Sequence, residues 1–324
     1  MILQENLSLK AYNTFGIDVQ ASRMAVLEPG DDPSQLRSLT AGRYFVLGAG
    51  SDVVFTHDYD GTVIRLSSEF SHSTLNTPHS TLVRVWGGVI MDSLIEWTLQ
   101  QNLYGAENLS AIPGTVGAAV VQNVGAYGVE AKDIIDRVEA YDLQQGAMCS
   151  FTAEECRFAY RDSMFKHCPG RYVVLWVTFR LKHEYVPNLS YKALADVQHA
   201  TAQQMRQSII DLRWSKLPRP EEHGSAGSFF KNPIVDAMLV DRLKSEYPDM
   251  PVYPGNKLSA GWLIDRAGWK GRTQGRAGVW PQNALVLYNA GSCTGDDVTA
   301  LAAAIVADVQ RKFQITLTPE AIII

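Results

Sequence analysis

Residues 112–128 read IPGTVGAAVVQNVGAYG, and no other run restricts the fold as tightly. Gly114, Gly117, Gly125 and Gly128 are separated mostly by small residues, with Pro113, Ala118, Ala119, Asn123, Ala126 and Tyr127 among them. Neither helical nor strand periodicity is visible, so the run reads as a loop. A loop so bare of side chains lets its backbone approach another surface closely. That surface is either a neighbouring domain or a large flat ligand. A second glycine turn, LGAGSD at 47–52, follows YFV and precedes Val53-Val54-Phe55. A dinucleotide fingerprint needs a third glycine at 53 and then a helix. Position 53 is Val and the β-branched run favours a strand, so a Rossmann reading fails. What remains at Gly48, Ala49, Gly50, Ser51 and Asp52 is a plain hairpin turn or a concave nest of backbone N–H groups suited to phosphate. Two such nests fit a ligand with a diphosphate and extended rings.

The rest of the chain predicts strands at TVIRL (62–66), TLVRVWGG (81–88), RVEAYDL (137–143) and RYVVLWVTFRL (171–181), where β-branched residues gather or apolar residues alternate. VIMDSLIEWTLQQN predicts a helix with Ile90, Leu94 and Trp97 on one face. Residues 191–213 predict helix. RWSKLPRPEEHGSAG (213–227) breaks the pattern and marks a domain boundary. Helices are expected around 234–246 and 258–268, then a strand at NALVLYN. A last helix from about Asp296 carries Val298, Leu301, Ala302, Ile305, Val309 and Phe313 as one core-facing stripe. A short strand at ITL (315–317) closes the chain. Strands in the first half and helices in the third quarter indicate an α+β class.

With 324 residues, the chain is long enough for two or three domains. Its hydrophobic share of 46% and charged share of 19% are those of a soluble globular protein. A net charge of −5 argues against broad nucleic-acid binding. Cys149, Cys156, Cys168 and Cys293 form no CxxC pair and have no histidine at ligand spacing. Free thiols in a reducing cytoplasm are expected, with no metal site. The start, MILQENLSLK, has no apolar core of a signal peptide, and no apolar run approaches a membrane span.

NTFGI (13–17), LGAGSDVVF (47–55), IPGTVGAAVVQNVGAYG (112–128), FAYRDSMFK (158–166), GSFFKNP (227–233), KLSAGWLIDRAGWKG (257–271) and TPE (318–320) occur in this order. Together they resemble the UDP-N-acetylenolpyruvoylglucosamine reductase family, and the matches span nearly the whole chain. The resemblance implies a two-domain FAD-binding fold of the vanillyl-alcohol-oxidase type plus a third α+β substrate domain. It places the first FAD-binding subdomain at 1–67, joined by 315–324, the second at 68–217 and the substrate domain at 218–314. Both glycine loops would hold FAD, noncovalently, because no His or Cys stands at a family position for attachment. NADPH would be the hydride donor. The protein would act as a cytoplasmic monomer on a small-molecule substrate, UDP-N-acetylglucosamine enolpyruvate, apart from membranes and nucleic acid.

The implied chemistry adds hydride to C3 of an α,β-unsaturated carboxylate and a proton to C2. Negative charge flows into the carboxylate meanwhile, so the site needs fixed positive charge and a proton donor. Ser228 matches the family's proton donor; read alone, it is a turn serine. Arg161 matches the arginine that pairs with the carboxylate, a role suited to a planar, permanently charged fork; the plainer reading is an ion pair with Asp162. Glu320 matches an acid that stabilises the enol form, and the apolar residues of ITLTPEAIII are expected to bury it. Lys216 and Asn232 match substrate contacts. Tyr191 matches the tyrosine loop of the longer subclass, with an exposed helix-start tyrosine as the alternative. Gln282 and Asn283 are both substrate-contact candidates. Asp52 departs from the family's usual Asn, and a carboxylate there must turn away from a diphosphate. Ala118 and Ala119 replace serines seen in some members, which leaves the flavin hydrogen bonds of that stretch to the backbone. Two rivals stay open: another flavoenzyme on the same two domains, and a non-catalytic flavin or nucleotide-sugar binder.

Overall fold

The computed structural model describes residues 1–197, 201–220 and 222–324. The chain forms two compact units. The first comprises 1–7, 21–49 and 60–213; the second comprises 8–20, 50–59 and 214–324.

The first unit is built on a five-stranded antiparallel sheet in the order Ala147–Thr152, Ile135–Asp142, Tyr172–Lys182, Ser80–Trp86, His72–Asn76. Along Tyr172–Lys182 the run Val173–Val174–Leu175 is buried, and beyond it Val177, Phe179 and Leu181 are buried while Trp176, Thr178 and Arg180 are less so. That alternation fixes the register, since a one-residue slip would turn the whole apolar set outward. Helix α1 (Met91–Gln100) buries Met91, Leu94, Ile95, Thr98 and Leu99. The buried stripe is thus turned from the expected Ile90–Leu94–Trp97 line, because Ile90 is the N-cap rather than a helical position. A smaller sheet orders Ile2–Ser8, Gln20–Leu27, Tyr59–Leu66 and Tyr44–Val46.

The run 112–128 is not all loop. Helix α2 (Val116–Gln122) lies inside it, opened by Thr115, whose Oγ1 accepts from the Ala118 N–H, and closed by Asn123 at φ 42°. Its small residues hid it, since Gly and Ala give no apolar contrast to read. In the predicted helical stretch 191–213 the structure has a 3-10 turn, Lys192–Val197, and helix α3 (Ala202–Trp214). Residues 198–200 of that stretch lie outside the described residues.

The second unit holds a four-stranded sheet in the order Ser225–Ser228, Val286–Asn289, Ala277–Val279, Thr273–Gln274. Helices α4 (Ala237–Glu246), α5 (Ala260–Arg266) and α6 (Gly295–Phe313) accompany it. Along α6 the predicted stripe is buried throughout. The chain end differs from expectation. Ile315 and Leu317 are buried but form no strand. The terminal strand is Ile322–Ile323, parallel to Val53–Val54. No described helix is long and apolar enough to cross a membrane, and no metal-binding cluster occurs among the described residues.

Candidate active site

In the first unit the strand Tyr44–Val46 delivers the chain to Gly48. A Cβ on Gly48 would stand 2.9 Å from the Ala118 Cβ and 3.1 Å from the Thr115 Oγ1. The first glycine turn therefore abuts the second, and a larger residue at either 48 or 118 would part them. The backbone N–H groups of Gly48, Ala49, Gly114 and Thr115 have no partner among the described residues. Unpaired backbone donors are rare unless something outside the chain takes them. Grouped at two adjoining turns, they suit an anion such as a diphosphate. Gly117 and Gly50 have packing duties instead. A Cβ at 117 would lie 3.1 Å from the Val174 carbonyl, and one at 50 would lie 2.0 Å from the Tyr12 carbonyl. Ser51 and Asp52 are half-buried beside Gly50, and the Asp52 carbonyl accepts the Ile322 N–H at 2.9 Å. Pro113 is exposed and Ala119 buried.

Beyond α2 the chain forms a hairpin, Gly125–Ala126 against Val129–Glu130. Its two turn residues, Tyr127 and Gly128, have φ of 51° and 87°, the pattern of the tight turn that matches strand twist. The buried Asn123 anchors the base of the hairpin: its Nδ2 donates to the Ala159 carbonyl at 2.8 Å and to Glu130 at 3.1 Å. Its side-chain amide is spent inside the protein.

Arg161 occupies a two-residue turn between Ala159 and Asp162, whose backbones exchange hydrogen bonds of 3.0 and 3.1 Å. Its φ of 53° is the left-handed region, costly for a side-chain-bearing residue. Its Nη2 donates to the Gly125 carbonyl at 2.6 Å. Asp162 pairs with His167 Nε2 at 2.8 Å. The structure thus brings Arg161 to the second glycine loop. Tyr191 arrives there too, its ring edge-on to Tyr127 at 5.1 Å. Burial raises the Tyr127 phenol pKa, against the pull of the Arg213 guanidinium, which burial in turn lowers.

The second unit carries Ser228 and Glu320. Ser228 is the last residue of the strand Ser225–Ser228 and pairs with Val286, so it is not a turn filler. Phe229 and Phe230 behind it are fully buried. The Glu320 N–H donates to the Phe229 carbonyl at 2.8 Å, and the Lys231 N–H to the Thr318 carbonyl at 3.0 Å. These bonds lay the TPE segment along SFFK and make residues 228 and 320 neighbours. Glu320 itself is half-buried, less enclosed than its apolar surroundings suggested. The NTFGI segment holds the same strand from its other end. Thr14 Oγ1 donates to the Ser225 carbonyl at 2.6 Å, and the buried Asn13 takes the Ile17 N–H while donating to the Leu9 and Ile17 carbonyls.

Lys216 is half-buried. Asn232 Oδ1 accepts the Ala260 N–H at 2.9 Å, which fixes the amide plane. Asn283 Oδ1 accepts the Leu285 N–H at 3.1 Å within its own turn, whereas the neighbouring Gln282 is exposed. Cys149, Cys156, Cys168 and Cys293 are free, and burial pushes the thiols of Cys156 and Cys293 up to about 12. Sequence reasoning missed Asn108 and Arg213, both of which touch the Tyr127 turn.

Comparison with known proteins identifies the family. Residues 219–324 match the model of the UDP-N-acetylenolpyruvoylglucosamine reductase C-terminal domain, and residues 40–152 match an FAD binding domain. A UDP-N-acetylenolpyruvoylglucosamine reductase of Pseudomonas aeruginosa is 44% identical, over 98% of both chains. The Pseudomonas putida protein of the same name is 42% identical, over 98% of this chain and 97% of its own. The crystal structure of the Thermus caldophilus UDP-N-acetylenolpyruvylglucosamine reductase superposes with a TM-score of 0.72 at 26% identity, covering 99% of each chain.

Proposed function

Because the chain belongs to the UDP-N-acetylenolpyruvoylglucosamine reductase family, we propose that it reduces UDP-N-acetylglucosamine enolpyruvate to UDP-N-acetylmuramic acid, with NADPH as the reductant. It is an FAD-binding oxidoreductase of the α+β class. The unpaired N–H groups of Gly48, Ala49, Gly114 and Thr115 suit the diphosphate of FAD. When bound, FAD supplies the hydride for C3 of the enolpyruvyl group.

The chain's own residues handle charge and proton. Arg161 neutralises the substrate carboxylate as charge builds there, and its left-handed turn holds the fork in a set direction. Ser228 delivers the proton to C2. A serine hydroxyl is a weak acid, but the carbanion it meets is a strong base. Glu320 stabilises the enol form of the carboxylate. The observation that supports a joint role for Ser228 and Glu320 most strongly is the Glu320 N–H on the Phe229 carbonyl, a backbone bond that makes residues 228 and 320 neighbours. Lys216, Asn232, Gln282 and Tyr191 serve the sugar nucleotide, and Asn283 shapes the turn that presents Gln282. The division into 1–67 with 315–324, 68–217 and 218–314, the monomeric state and the cytoplasmic location belong to the same reading.

Anaerobic titration tests it. The purified protein, loaded with FAD, should be yellow, lose its colour with NADPH and regain it on adding the enolpyruvyl sugar nucleotide. A protein that cannot be loaded, or whose colour the sugar nucleotide does not restore, contradicts the proposal.

A further inference from the structure

Asn108 lies on the 3-10 turn Glu107–Leu109 and is 3% exposed. Its single side-chain NH2 group spends both hydrogens on segments remote in sequence. One goes to the Tyr127 carbonyl at 2.8 Å, the other to the Asn188 carbonyl at 3.0 Å. Around this bridge the two segments interlock. Asn188 Nδ2 donates to the Gly128 carbonyl at 3.2 Å, while its Oδ1 accepts from Ser190 N and Oγ at 3.1 and 2.7 Å. A Cβ on Gly128 would fall 1.9 Å from Ser190 Oγ. Tyr191 then sets its ring against Tyr127.

We propose that Asn108 is a positioning residue that latches the Tyr191 segment, 186–191, to the Tyr127–Gly128 turn, so that cofactor in the glycine loops organises the tyrosine segment for substrate. The physical basis is the cost of stranding buried polar groups. If 186–191 leaves, a buried amide hydrogen of Asn108 loses its acceptor. If the 127–128 turn shifts, the same amide is pulled from its other partner. The two segments therefore move together or at a penalty. Tyr127 pays for its place with a left-handed backbone, and in return its carbonyl faces Asn108 and its ring faces Tyr191. This inference rests on assigning 112–128 to FAD and Tyr191 to the substrate.

Hydrogen exchange and kinetics on the full-length protein test it. In the apoprotein, Asn108→Leu and the smaller Asn108→Ser should each speed exchange across 186–191 about tenfold and leave Val116–Gln122 unchanged. Adding FAD should slow exchange across 186–191 in the wild type, and should no longer do so in Asn108→Leu although FAD still binds. KM for the sugar nucleotide should rise about tenfold in both variants, with the rate of flavin reduction by NADPH unaltered. Unchanged exchange across 186–191 in Asn108→Ser would overturn the latch, even if Asn108→Leu failed to fold. So would parallel losses in KM, kcat and flavin reduction, which mark a purely structural asparagine. Failure of the wild type to bind FAD would contradict the proposed function instead, and the apoprotein exchange would still judge the latch.

Discussion

Replacing Arg161 by Asn separates a functional arginine from a structural one. Two stability effects oppose each other. Arg161 sits at φ 53°, a conformation that costs an ordinary L-residue roughly 1–2 kcal/mol and that asparagine tolerates. The change also deletes the 2.6 Å bond from Nη2 to the Gly125 carbonyl. A hydrogen bond from a charged donor contributes about 1.5–3 kcal/mol, towards the low end here because Arg161 is half-buried. The two largely cancel, leaving a net loss of under about 1 kcal/mol and a Tm shift of under about 2 °C for a chain of 324 residues. Catalysis should respond differently. Without the guanidinium, charge building on the substrate carboxylate is unopposed, and removing one such electrostatic partner typically slows a reaction about 10²–10³-fold. Urea melts would give the stability difference. Anaerobic stopped flow would give the rate at which the sugar nucleotide reoxidises reduced flavin. A stability loss above about 3 kcal/mol with near-normal reoxidation would refute the argument and make Arg161 a clamp for the Gly125 hairpin.

Two further outcomes follow from other parts of the molecule. Asn13→Ala removes three hydrogen bonds within a buried turn and should cost about 3 kcal/mol in urea unfolding; a loss under about 1 kcal/mol would show that water replaces them. Asp92 is opposed by burial, but Arg206 and the Ala111 N–H together hold its carboxyl below the usual range. A depressed folded-state pKa contributes stability above the unfolded value, about 3.9, and that contribution is lost as pH falls through the folded value. Stability should therefore drop below about pH 4, less steeply in Asp92→Asn, and equal slopes in the two proteins would contradict this assignment.

What the sequence disclosed tracks how local each signal is. The α6 stripe was legible residue by residue because a long helix repeats its pattern several times. The strand at Tyr172–Lys182 was legible for the same reason. Helix α2 was not, since VGAAVVQ offers no apolar contrast and Thr115 was its chief signal. The alternating ITL suggested a strand, yet a strand needs a partner, and Val53–Val54 pairs with Ile322–Ile323 instead. Ser228, Arg161 and Glu320 are candidates through ordered motifs rather than through any property of serine, arginine or glutamate. Their settings were hidden: the strand-end position of Ser228, the left-handed turn of Arg161 and the partial burial of Glu320 all depend on distant backbone. Asn108 was invisible for a related reason, as its acceptors lie 19 and 80 residues further along the chain.

The account's central claim is that the Ser228 hydroxyl supplies a proton while the rest of the site stays intact. Anaerobic stopped flow on Ser228→Ala, following both half-reactions in one preparation, tests it most directly. Flavin reduction by NADPH should proceed at the wild-type rate, and reoxidation by the enolpyruvyl sugar nucleotide should slow by roughly 10²–10⁴-fold, the usual contribution of a positioned acid. Equal slowing of both steps, or wild-type reoxidation, would contradict the claim.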